Sequence, residues 1–92
     1  MARPAFVQTN EAWVVWVLGE ELFGSAPPAG IAARTGMSPA EVTTALTSLA
    51  RIAAVRFEGA PDPRHGYPCA VVQIGDEGKR MVEYFRRIRD IF

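Results

Sequence analysis

The sequence has little to do chemistry with: one cysteine, one histidine, and ten Lys or Arg balanced by ten Asp or Glu in 92 residues. A single Cys69 excludes an internal disulfide. Together with His65 it cannot complete an intramolecular zinc site of nitrogen and sulfur ligands, so no metal is expected. No glycine-rich phosphate loop is present, because Gly75 and Gly78 lack the spacing and the Lys-Ser/Thr context of nucleotide motifs, and no cofactor is expected. A hydrolase needs an activated nucleophile with a base and an orienting group. Here His65 stands alone in a Gly- and Pro-rich stretch and Cys69 opens the apolar run Cys69-Ala70-Val71-Val72, so Cys69 reads as a small core hydrophobe and the chain as a non-enzyme. The longest apolar run, Ala12 to Leu18, has seven residues. A membrane-spanning helix needs roughly 20. No basic segment followed by a signal-type core opens the sequence, so a cytoplasmic protein with no membrane association is expected. Zero net charge argues against a protein that coats nucleic acid by bulk charge.

What is present is a strongly punctuated stretch, IAARTGMSPAEVTTALTSL, from Ile31 to Leu49. Ser38 suits an N-cap, Pro39 suits the first helical position, and Glu41 stands three residues after Ser38, as a capping box requires. Gly36 lies where a left-handed residue would end one helix and redirect the chain into the next. The stretch therefore predicts two short helices joined by a tight turn, over 28–35 and 39–51. On the second of these, Val42, Ala45, Leu46, Leu49 and Ala53 follow core spacing, and Ala40, Thr44, Thr47 and Arg51 fall on the opposite face, flanked by Thr43 and Ser48. Charge is distributed unevenly. Residues 1–33 carry Arg3 against Glu11, Glu20 and Glu21, whereas residues 34–57 carry Arg34, Arg51 and Arg56 against Glu41, so the helix-turn-helix is the basic part.

Around this stretch the pattern changes twice. Asn10 suits the cap of a first helix running to about Phe23, with Gly24 beyond it and Pro27-Pro28 preventing continuation. Its apolar residues, Trp13 to Leu18, cover nearly the whole circumference, which predicts that something covers a second face. Residues 1–9 form an N-terminal arm without a clear anchor. After the helix-turn-helix, Ile52–Glu58 and Cys69–Ile74 are β-branched or alternating and are separated by GAPDPRHGYP, which predicts a two-stranded hairpin with a long loop. Asp76 suits the cap of a last helix over 76–91, with Met81, Val82, Phe85 and Ile88 on one side and Tyr84 and Ile91 widening it. The apolar pair Ile91-Phe92 predicts that this helix meets another surface.

The order helix, helix, turn, helix, hairpin, helix resembles a winged helix-turn-helix domain over residues 10–92, with the helix-turn-helix at 28–51, the wing at 52–74 and the last helix at 76–91. IAARTGMS followed by Val42, Leu46 and Leu49 resembles the helix-turn-helix core, and PDPRHG before VVQIGDEGKRMV resembles the wing and exit helix of MarR-type and PadR-type regulators, with Asp62, Arg64 and Gly78 at matching places. The fold class implied is α+β, mainly α. The resemblance implies a small dimeric DNA-binding transcriptional regulator, its partner double-stranded DNA carrying an inverted repeat, with the third helix in the major groove and the wing on the backbone or in the minor groove. On that reading Ser38, Thr43, Thr44 and Thr47 are candidate donors to phosphates or base edges, and Ala40 meets a thymine methyl. Arg34 and Arg51 meet phosphate, and Arg64 and His65 lie at the wing tip. Trp13, Trp16, Tyr84, Phe85, Ile88 and Phe92 are the candidate homodimer interface, with core packing the alternative for one of the tryptophans. A second function stays open: a winged-helix module that binds a protein partner through its first helix and touches no DNA.

Overall fold

In the computed structural model, which describes residues 3–91, four helices and a small antiparallel sheet follow in the order α1 (Asn10–Glu20), β1 (Ser25–Ala26), α2 (Pro28–Thr35), α3 (Pro39–Arg51), β2 (Val55–Glu58), β3 (Val71–Ile74), α4 (Asp76–Ile91). This is a winged helix, mainly helical. The sheet has three strands in the order β1-β3-β2, with Ser25 opposite Gln73, Ala26 opposite Val72, and β2 paired with β3 from Val55 opposite Ile74 to Glu58 opposite Val71. The hairpin expectation omitted β1. Two residues are too few to show strand alternation.

Helix α1 is the centre of the molecule. Val14, Val15, Val17 and Leu18 are completely buried, and the helix packs on α4, on α2 and α3, and on β1 and β3. The expected cover for its second face is therefore supplied by the chain itself. The N-terminal arm completes the cover: Val7 is buried, Phe6 meets Trp16 edge to face at 5.2 Å, and the Arg3 guanidinium lies 4.7 Å above the Trp13 ring while donating to Asn10 Oδ1 at 2.6 Å. Thr9, rather than Asn10, caps α1, its hydroxyl accepting from the Ala12 N–H at 3.0 Å. Asn10 is engaged by Arg3. The helix also stops at Glu20 instead of Phe23, because Phe23 takes a left-handed φ of 57° that turns the chain toward β1.

Two further boundaries shift. Ile52 follows the end of α3 and Ala53 adopts a φ of 60°, so Ala53 points to solvent and Ala54 takes the buried place that helical spacing assigns to Ala53. Strand β3 begins at Val71, two residues after the buried Cys69. Gly75 and Gly78 bring α4 tightly against the Ala53–Ala54 backbone, with the Gly75 N–H donating to the Ala54 carbonyl at 2.8 Å. That approach sets the angle at which α4 leaves the sheet. No helix among the described residues is long and apolar enough to cross a membrane.

Candidate nucleic-acid interface

Two local devices position α3. At its start, Ser38 Oγ accepts from the Glu41 N–H at 3.2 Å and Glu41 Oε1 accepts from the Ser38 N–H at 3.0 Å, the reciprocal capping box that the spacing predicts. These bonds, the one from the Ser38 backbone foremost, hold the Glu41 carboxyl below its ordinary range, so a fixed negative charge sits at the start of the helix. Before it, Gly36 is left-handed with φ 76° and its N–H donates to the Ala32 carbonyl at 2.8 Å. Thr35, buried, stitches the same turn: its hydroxyl donates to the Ile31 carbonyl at 2.8 Å and accepts from the Met37 N–H at 3.3 Å. The composition gave no reason to single out Thr35; a Thr immediately before a C-capping Gly is the signal that could have done so.

With Val42, Ala45, Leu46 and Leu49 buried, α3 turns Ala40, Thr44, Thr47 and Arg51 outward, and all four are exposed. The hydroxyls are unequally free. Thr47 donates to the Thr43 carbonyl at 2.9 Å and Thr43 donates to the Gly66 carbonyl of the wing at 3.3 Å, whereas Thr44 makes no such bond among the described residues. Ser38 is occupied by the cap. Arg34, on α2, donates to Glu21 at 3.3 Å, so its charge is partly neutralised, while the guanidinium of Arg51 has no ion pair among the described residues.

The wing loop is built around Asp62. Its N–H donates to the Tyr67 carbonyl at 3.0 Å, its Oδ1 accepts from the Arg64 N–H at 3.0 Å, and its Oδ2 lies 3.0 Å from His65 Nδ1. The His65 contact is the main reason that the Asp62 carboxyl is held below its ordinary range. The His65 ring stacks on Tyr67, which is buried, and Gly66 supplies the left-handed φ of 74° that closes the turn. Arg64 is left exposed with no side-chain ion pair among the described residues. Asp62 and Tyr67 are organisers of this loop that the site reading passed over; Asp-Pro-Arg, with a carboxylate two residues before a free N–H, is the spacing that could have marked the first.

The candidate dimer residues separate. Trp16 is enclosed by Phe6 and Phe85, with the Arg89 guanidinium 5.7 Å above its ring, and Trp13 is half-buried under Arg3. Tyr84 is 55% exposed and stacks on the half-buried Phe85; Ile88 is half-buried and Ile91 is 84% exposed. Phe92 lies outside the described residues. Among the described residues no three His, Cys, Asp or Glu side chains converge as a metal site would require.

No protein-family model matches the chain, and no curated protein matches it. Solved structures do. A cysteine-to-serine mutant of Lactococcus lactis ZitR superposes with a TM-score of 0.66 at 15% identity over 98% of this chain and 57% of that one. A glycine-to-lysine mutant of S. aureus MepR superposes with a TM-score of 0.65 at 16% identity over 91% of this chain and 59% of that one. The likeness is one of fold: the chain shares the winged-helix architecture of both neighbours and spans somewhat less than three fifths of either.

Proposed function

We propose that this protein is a small dimeric DNA-binding transcriptional regulator that inserts α3 into the major groove and lays the wing on the backbone or in the minor groove. The carrying observation is the arrangement of two unpaired arginines: Arg51 at the end of the outward face of α3 and Arg64 at the wing tip, with Ala40, Thr44 and the Thr47 methyl exposed on the same helix face as Arg51. Arg51 and Arg64 supply phosphate contacts, and the small residues allow close approach to base edges and thymine methyls. The helix offers no Arg, Asn or Gln in its first three turns, so base discrimination rests on Thr44, on methyl contacts and on DNA shape.

Dimerisation is supported by the outer edge of α4 and the groove beside it. Tyr84 and Ile91 are exposed, and beside them a groove of about 420 Å³ is lined by Phe6, Ala12, Met81, Tyr84, Phe85 and Ile88. A second copy packed there presents two α3 helices to an inverted repeat, the half-sites about one helical turn apart. Light scattering at micromolar concentration checks this: a dimer is expected, and a monomer contradicts it.

A second reading, a protein-interaction module, is favoured by one specific feature, the fixed Glu41 charge at the start of α3. Fluorescence anisotropy with a mixed-sequence duplex at two salt concentrations separates the two, because a protein that neutralises several phosphates loses affinity steeply with salt. The DNA reading expects salt-sensitive binding that weakens in Arg51→Ala/Arg64→Ala. Absence of binding even at low salt supports the interaction module.

A further inference from the structure

The segment between β2 and β3, residues 59–70, has the Gly and Pro content of a solvated loop, yet it is tied down at every level. The Ala70 N–H donates to the Glu58 carbonyl at 3.0 Å, the Asp62 N–H donates to the Tyr67 carbonyl at 3.0 Å, and the Asp62 carboxylate gathers the Arg64 N–H and His65. All of these bonds lie within the hairpin. Among the described residues one bond leaves it: Thr43 Oγ1 on α3 donates to the Gly66 carbonyl at 3.3 Å, across 23 residues of sequence.

We propose that Thr43 is a positioning residue, which locks the wing tip to the recognition helix so that Arg64 and the outward face of α3 meet a duplex as one preformed surface. This deepens the DNA-binding reading and rests on it. Thr43 stands on the flank of α3, half-buried, whereas Ala40, Thr44, Thr47 and Arg51 stand on its crest. Its single donor is spent on Gly66, so it has no proton to offer a base edge or phosphate. Gly66 presents its carbonyl toward α3 because the chain is left-handed there. Arg64 lies two residues before Gly66, inside the turn that Asp62 closes, so the bond that fixes Gly66 also limits where the base of the Arg64 side chain can go. A wing ordered before encounter does not have to be ordered by the DNA, which is the gain of preorganisation.

The test compares wild type, Thr43→Val, Thr43→Ser, Arg64→Ala and Thr43→Val/Arg64→Ala in duplex anisotropy at one low salt concentration. Amide ¹⁵N relaxation is measured on each free protein. Valine keeps the shape and removes the donor. Loss of one hydrogen bond's worth of organisation predicts about fivefold weaker binding for Thr43→Val, near-wild-type binding for Thr43→Ser, and less than about a twofold further effect when Thr43→Val is added to Arg64→Ala, as expected of coupled residues. Relaxation is expected to show faster local motion at residues 62–66 in Thr43→Val and an unchanged α3. Equal losses in the presence and absence of Arg64 overturn the proposal in favour of a direct Thr43 contact, and an unaffected wing in Thr43→Val overturns it outright. A wild type that binds no duplex overturns the DNA reading itself, and the proposal with it; one that binds only as tightly as Thr43→Val overturns the proposal alone.

Discussion

Helices α1 and α4 are both rich in apolar residues, and they use them in opposite ways. In α1 the apolar residues run round the circumference and are consumed by the chain's own elements, with Val14, Val15, Val17 and Leu18 unexposed. In α4 they form one broad stripe whose inner edge, Gly78 and Val82, is buried while Tyr84 and Ile91 at its outer edge stay in solvent. Hydrophobicity on all sides thus marks the element that everything else packs on. The signal for a partner is an apolar residue left over after the core has closed; Tyr84 and Ile91 on α4 are of this kind, as are Phe23 and Ile52 outside it.

The contrast is broken most severely in α1. Leu18→Ala removes a completely buried side chain and is expected to cost about 3 kcal/mol in urea unfolding. A cost under about 1 kcal/mol, the scale of surface changes, would mean that α1 is not the centre of the core. The seam between the helices comes next. A Cβ at Gly19 would lie 2.6 Å from Val82 Cγ2, so Gly19→Leu should force α4 away and destabilise by about 2 kcal/mol, visible as a lower thermal midpoint. At the rim of the same seam Glu20 pairs with Arg86 and Arg89, all partly exposed, and Glu20→Ala should cost under about 1 kcal/mol.

The outer edge of α4 should behave differently in kind. Tyr84→Ser is expected to change monomer stability by less than about 0.5 kcal/mol while shifting light scattering from dimer toward monomer. Loss of folding in that variant would assign Tyr84 to the core, against its exposure. The smallest effect is one of pH and concerns the wing. Asp62 has a carboxyl held below its ordinary value of 3.8, chiefly by the hydrogen bond with His65. Because the folded value is the lower one, the support this carboxylate gives is complete above its unfolded value and is lost as pH falls through the folded one. The Arg64 amide resonance should therefore hold its position on acidification until below that ordinary value, then move as the Asp62 bond releases it.

The same contrast explains what could be read from the sequence. The α2–α3 turn was legible to the residue because its determinants are local: Gly36 to end one helix, and Ser38, Pro39 and Glu41 to start the next. The start of α1 is one residue earlier than the Asn10 cap that the sequence predicts, because Thr9 caps the helix while Asn10 is held by Arg3, seven residues upstream. Strand β1 was illegible because a two-residue strand exists only through its pairing with Gln73 and Val72. Helical spacing puts Ala53 in the core, but α3 ends at Arg51 and Ala53 is left-handed, so the spacing no longer applies there. In the candidate interface the residue types were legible, but the commitment of Thr43 to Gly66, of Arg34 to Glu21 and of Ser38 to its cap depends on tertiary distances that periodicity does not carry.

The most direct test of the central reading is an NMR titration of the labelled protein with a short duplex, following every amide. Amides of α3 around Ala40, Thr44 and Thr47, and those of the wing around Arg64 and His65, are expected to shift together and saturate at one concentration, while those around Tyr84 and Ile91 do not move. Shifts confined to α4, or none at low salt, would contradict it.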